Sequence, residues 1–228
     1  MPGISIIIPT YNEADNLPLL LSDLSTLKKD GEFIIVDCGS NDRTIDIAKI
    51  YGVKILKSKE KNRGLQLSIG ANNAEGEWFI FLHADSRLKQ AWVSKIRLVL
   101  NDDKSLIYSF KFRINSKKII YRFLEILVNL RTFFFKTPYG DQGLIIHREI
   151  YFKNNGYSKI PLMEDLELIK RLKIKNNLRI LDSAIFTSPR KWEKSNIFLQ
   201  ALKNWKFRRR WQKGEPIKSI YNDYYKNS

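Results

Sequence analysis

Short, largely apolar runs that each stop at a proline, a charged residue or a histidine constrain this chain more than any other feature. Ile4 to Ile8 stops at Pro9, Phe33 to Val36 at Asp37, Val53 to Leu56 at Lys57, and the run opened by Trp78 ends near His83. Runs of this length, rich in β-branched residues, read as strands buried on both faces. Helices are expected between them. Leu17, Leu20, Leu21, Leu24 and Leu27 make one apolar face, with Pro18 in the first turn and Asn12 or Asn16 as cap. Ser40 or Asn41 is placed to cap a second helix through Ile45, Ala48 and Lys49 that ends at Gly52, and residues 62–74 read as a third. This alternation predicts an α/β fold, a three-layer α/β/α arrangement around a mainly parallel sheet with right-handed crossovers. Ligands in such sheets bind beyond the C-terminal strand ends, where Pro9, Asp37 and Asp85 stand.

The second half is less regular. A helix over 89–100, a strand over 106–114 and an amphipathic segment over 118–135 precede the turn TPYGDQG. The run PLMEDLELIKRL starts a helix whose apolar positions are Leu162, Leu166, Ile169 and Leu172, and Arg179 to Phe186 reads as a late strand at an edge. Lys194 to Lys213 is expected to form a basic, aromatic-rich helix, with YNDYYKNS frayed. With 228 residues and 43% hydrophobic content, one core suffices. Residues 1–193 are therefore assigned to one main domain and 194–228 to a helical extension packed on it.

Composition narrows the partners. Lys and Arg number 40 against 24 Asp and Glu, a net charge of +16 that attracts nucleotide phosphates, nucleic acid and anionic lipid alike. No zinc-finger spacing, RNP-like strand or helix-turn-helix frame supports nucleic acid. The segments KKIIYRFLEILVNLRTFFFK and NWKFRRRWQKG interleave apolar and cationic residues, as helices lying in a membrane interface do; core packing with a solvated face is the competing account. No apolar stretch reaches the roughly 20 residues needed to span a bilayer. The first residues show neither a basic leader nor a cleavage site, so no signal peptide is expected. Cys38, the single cysteine, is expected to fill the core in a reducing compartment. Those features place the protein in the cytoplasm, with the inner face of the cell membrane as its one candidate surface.

Several constellations could carry chemistry. His83 and Asp85 point to one side of an extended segment and could face one divalent cation; Asp85 could equally cap the next turn while His83 packs. Asp37 could accept hydrogen bonds from a ribose or base, or close the loop DCGSNDRT as an Asx-turn. Glu164 and Asp165, near a helix N-terminus, suit either a cap or a general base for an acceptor hydroxyl, and adjacent helical residues diverge. Tyr139, Gly140, Asp141, Gln142 and Gly143 form a glycine-flanked turn with groups suited to sugar hydroxyls. Arg63, Arg190 and Lys191 could neutralise a departing diphosphate.

Together these blocks resemble the family 2 glycosyltransferases, inverting enzymes with the GT-A fold. The matching stretches are SIIIPTYNEADNL at 5–17, IIVDCGSNDRT at 34–44, RGLQLSIGANNAEGEWFIFLHAD at 63–85 and PLMEDLEL at 161–168, with LHAD, PYGDQG and SPRKWE pointing to a small bacterial branch. The resemblance implies a UDP- or GDP-sugar donor held by Pro9, Tyr11, Glu13, Asp37, Arg63, Ala84 and Asp85. It also implies Mn²⁺ or Mg²⁺ at Asp85, with His83 standing where the family commonly has an aspartate. Asp165 becomes the base and Glu164 its orienting neighbour. Tyr139, Gly140, Asp141, Gln142, Arg190 and Trp192 fall to the acceptor or sugar, and the acceptor could be lipid-linked. Arg190 and Trp192 resemble a shortened Arg-Trp motif without its leading glutamine, which argues against a processive synthase. Two alternatives stand beside this reading: a nucleotidyltransferase, which should show a glycine-rich basic loop after its first strand, and a catalytically silent nucleotide-sugar-binding or membrane-associated protein.

Overall fold

A computed structural model describes residues 3–89, 92–189 and 197–226. In chain order the elements are β1 (Ile4–Thr10), α1 (Leu17–Leu24), β2 (Gly31–Asp37), α2 (Thr44–Ile50), β3 (Lys54–Lys57), α3 (Arg63–Asn72), β4 (Trp78–Phe81), β5 (Arg87–Leu88) and α4 (Trp92–Leu100). There follow β6 (Ile107–Ile114), α5 (Ile119–Phe135), β7 (Leu144–His147), α6 (Arg148–Lys153), α7 (Glu164–Leu172), β8 (Leu178–Thr187), α8 (Ile197–Gln212) and α9 (Ile217–Lys226).

All the strands join one sheet in the order β3-β2-β1-β4-β7-β6-β8-β5. β1 to β4 are mutually parallel, β6 and β8 run the same way, and β7 and β5 run against them. The period of two sorts each strand's side chains. Ile4, Ile6 and Ile8 enter a core shared with α1, α2 and α4, while Ile7, Ile34 and Val36 enter a second core under α3, α6 and α7. This three-layer arrangement is the one the apolar runs predict.

The structure departs from the sequence-based expectations in the details. Neither Ser40 nor Asn41 caps α2: Ser40 donates to Asp37, Asn41 donates its amide to Asn12, and Asp42 accepts from the Thr44 amide at the helix start. β8 is not an outer strand, because the two-residue β5 pairs beyond it. Leu168, not Leu162, joins Ile169 and Leu172 on the buried face of α7; Leu162 precedes the helix and packs with Phe207 and Ile220. Residues 221–226 are helical rather than frayed, since α9 lays Tyr221 and Tyr224 against the cluster in which it buries Ile220. The antiparallel β7 has no counterpart in the sequence reading. Its reversal pairs Leu144 with Phe81, which brings the preceding turn to the rim where β1, β2 and β4 end.

Candidate active site

The site begins with two interlocked loops. Asp37, at the end of β2, accepts from the Gly39 and Ser40 amides at 2.9 Å each and from the Thr10 hydroxyl at 2.9 Å. Asn12, in a left-handed conformation at φ 53°, takes the Asn41 amide at 2.9 Å. Gln66 of α3 spans both strand ends, donating to the carbonyls of Thr10 and Val36. Asp37 is thus the Asx-turn of its loop. Its carboxylate is buried and taken up by these loop contacts, whereas the sequence reading gave it to the donor. Cys38 is also not core filler. It is half-buried and lines the cleft, its thiol 3.5 Å from the Thr10 carbonyl, and burial beside Asp37 raises its pKa.

The acidic pair separates as adjacent helical residues must. Met163 holds a left-handed turn at φ 64° immediately before α7, an uncommon conformation outside glycine. Glu164 then points inward, 1% exposed, in an ion pair with Arg63, and burial raises its pKa against the opposing pull of that guanidinium. Asp165 faces the cleft. Its Oδ2 accepts from the Gly140 amide at 2.7 Å and its Oδ1 from the Leu166 amide at 2.8 Å. Gly140 is required here for space: a Cβ would stand 2.6 Å from His83 Nε2 and 3.4 Å from Asp165 Oδ2. The same backbone point therefore separates the imidazole from the carboxylate.

The 139–142 turn adjoins Asp165 through the Gly140 amide. Gln142 is fully buried, accepts from Thr132 and from the Tyr139 amide, and donates to the Phe110 carbonyl. Its amide is committed to the turn, whereas the sequence reading gave it to a sugar hydroxyl. Tyr139, Gly140 and Asp141 do line the cleft.

The cleft itself has a volume of about 590 Å³. Pro9, Tyr11, Glu13, Arg63, His83, Ala84 and Asp85 line it together with Asp165 and the turn residues. Glu164 lies behind this cleft, in a small void shared with His83 and Asp165. Arg190 and Trp192 lie outside the described residues. Four lining cations or thiols escape a reading by motif. Lys61 sits 3.7 Å above the Tyr11 ring, and Arg131, Arg208 and Cys38 face the same space. Arg131 and Arg208 read from sequence as members of basic amphipathic helices; nothing in those segments marks which cation turns inward.

Among the described residues no group of three or more His, Cys, Asp or Glu side chains is placed to hold a metal ion. Asp85 and His83 nevertheless both line the cleft. One carboxylate and one imidazole fit a divalent ion that draws its remaining ligands from a diphosphate and water, as Mg²⁺ and Mn²⁺ do.

The family description glycosyl transferase family 2 matches residues 5–159. The chain belongs to glycosyl transferase family 2. Among curated relatives, a PGL/p-HBAD biosynthesis glycosyltransferase of Mycobacterium tuberculosis is 37% identical over 97 residues, which cover 40% of this chain and 38% of that protein. A 4,4'-diaponeurosporenoate glycosyltransferase of Staphylococcus haemolyticus is 37% identical over 93 residues, covering 38% of this chain and 25% of that protein. The matches thus span well under half the length of these relatives. Of solved structures, S. aureus TarS 1-349 superposes with a TM-score of 0.67 at 20% identity, covering 83% of this chain and 61% of that one. Glucosyl-3-phosphoglycerate synthase from Mycobacterium tuberculosis, solved with Mn²⁺, UDP and glucosyl-3-phosphoglycerate, gives 0.61 at 15% identity, covering 82% of this chain and 72% of that one. These likenesses show the GT-A fold that the family 2 resemblance implies.

Proposed function

We propose that this chain is an inverting glycosyltransferase that moves a sugar from a UDP- or GDP-sugar to an acceptor hydroxyl. The observation that carries the reading is the gathering of Asp85, His83 and Asp165 in one cleft at the C-terminal strand ends. TarS has been solved with UDP-GlcNAc and the synthase with UDP-glucose, which supports a UDP-sugar for the same fold.

Tyr11, Glu13, Arg63 and Ala84 contact the donor, while Asp85, with His83 beside it, would hold Mn²⁺ or Mg²⁺. When bound, that ion supplies charge neutralisation for the diphosphate. Asp165, oriented by the Gly140 and Leu166 amides, takes the proton of the acceptor hydroxyl. The acceptor oxygen then forms its bond to the anomeric carbon as the bond to the diphosphate oxygen breaks, and one displacement inverts the configuration. Lys61 and Arg63 at the cleft wall offset charge on the departing diphosphate.

A lipid or lipid-linked acceptor fits the outside of the same walls. Leu124, Val128 and Arg131 of α5 face the cleft, while Ile119, Phe123, Ile126, Phe133, Phe134 and Phe135 of that helix stand exposed. Leu199, Leu202 and Trp205 of α8 do the same beside Arg209. An apolar face edged by cations suits peripheral contact with an anionic membrane, on the cytoplasmic side in this reading. No described helix is long and apolar enough to cross a membrane.

Calorimetric titration of UDP, GDP and their sugar conjugates, with Mn²⁺ and after chelation, tests the donor site. One nucleotide is expected to bind in the presence of metal and to lose most of its affinity on chelation or in Asp85→Ala. Binding indifferent to both, or no binding by folded protein, overturns the reading.

A further inference from the structure

Two guanidiniums, brought together from separate helices, share one aromatic ring inside the cleft. Arg131 of α5 lies 3.5 Å from the Tyr139 ring centroid and Arg208 of α8 lies 4.9 Å from it, and all three residues line the cleft. Arg131 is held by Gln142 Oε1 at 3.2 Å, and its buried Nε has no hydrogen-bond partner. Arg208 Nε donates to the Asn204 carbonyl at 3.2 Å. Asp141 and Asp165 are the carboxylates near Arg131, and Asp165 already accepts two backbone amides. Among the described residues no carboxylate forms an ion pair with Arg208, whose charged neighbour is Arg131.

That arrangement is electrostatically incomplete. Burial pushes Arg131 down to about 10, against the pull of Asp141 and Asp165; burial, then the charge of Arg131, pushes Arg208 down to about 10. Two cations stacked on one ring gain cation–π attraction but repel each other, and an anion between their forks relieves that repulsion. Planar guanidiniums match phosphate and carboxylate oxygens in pairs, which a surface lysine does not.

We propose that Arg131 and Arg208, stacked on Tyr139, form a subsite for an anionic group, a phosphate or a carboxylate, carried by the acceptor. The assignment rests on the donor and base roles proposed above, because it is Asp165 beside Arg131 that places the subsite on the acceptor side. Phe112, Leu124 and Val128 line the same cleft and offer an apolar bed for the rest of the molecule. The acceptor is then an amphiphile with its anionic head near the reacting hydroxyl.

Hexyl phosphate, hexanoate and hexanol, titrated into the full chain with and without UDP and Mn²⁺, separate the possibilities. At least one anion is expected to bind about tenfold or more tightly than hexanol, the difference that one charge-assisted hydrogen bond supplies. Preference for hexyl phosphate identifies a phosphate, and preference for hexanoate a carboxylate. The preference should persist with UDP present and disappear in Arg208→Ala, while UDP binds wild type and variant alike. Equal binding of all three probes, no binding, or a preference that survives in Arg208→Ala overturns the proposal. So does loss of UDP binding in the variant, which would give the pair to the donor diphosphate. Failure of wild type to bind either UDP or GDP sinks the donor reading, while the anion preference, measured without nucleotide, is read independently.

Discussion

Substitution at Arg63 and at Glu164 should not cost the same. Glu164→Gln leaves behind a guanidinium whose side chain is 35% exposed and can turn to water. Arg63→Ala leaves a buried carboxylate without its ion-pair partner, a defect worth about 3 kcal/mol or more. The pH dependence follows from the direction of the shift. Burial holds the folded pKa of Glu164 above its ordinary 4.5, so the native state binds the extra proton. Its contribution is fully present below about 4.5 and is lost as pH rises through the folded value. Removing Arg63, which pulls that pKa down, extends the loss upward. Denaturant midpoints should therefore fall further for Arg63→Ala than for Glu164→Gln, with the gap widening from pH 4.5 upward; equal losses at all pH values would contradict the buried-charge account. Asp165→Asn belongs to a different ledger. It should lower kcat by about 10² to 10⁴ while changing stability by no more than about 1 kcal/mol. Unfolding of that variant under assay conditions would remove the support for a proton-transfer role.

The elements that carry these residues meet at tight backbone contacts. Gly64, in the first turn of α3, donates to the Ile160 carbonyl at 3.2 Å, and a Cβ there would run into the carbonyl oxygens of Ser158 and Ile160. Backbone cannot rotate out of the way as a side chain can. Gly64→Ala should cost about 1–3 kcal/mol, and because residues 158–163 lead directly into α7, kcat should fall as well. Unchanged thermal stability and turnover would show that the loop yields freely. This contact was invisible in the sequence, where Gly64 reads as an ordinary residue beside Arg63. The strands β1, β2 and β4 were legible because each is an apolar run closed by a polar or proline residue. β7 was not, since LIIH is only a four-residue run between a turn and a helix, and its reversed direction is a choice made by its neighbours in the sheet.

At the scale of the molecule, α5 presents opposite faces to the cleft and to solvent. The full chain should co-sediment with anionic vesicles at low salt, release them as ionic strength rises, and ignore neutral ones. Phe133→Ser combined with Phe134→Ser, at 59% and 70% exposed positions, should weaken that binding several-fold without altering UDP affinity. Binding that persists in the double variant would move the contact to another surface. The sequence by itself determined the layered α/β class, the blocks that meet at one rim, and the acidic residues at strand and helix ends, because these depend on local periodicity and on a few residue types with narrow backbone or charge roles. The tertiary structure decided which polar groups remain for a ligand. It spent Asp37 and Gln142 on holding loops, buried Glu164 behind Arg63, left Asp165 facing the cleft, and turned Arg131 and Arg208 inward from helices that looked merely basic. Whether a side chain faces solvent, a partner or a cleft depends on neighbours distant in the chain, and no local pattern encodes them.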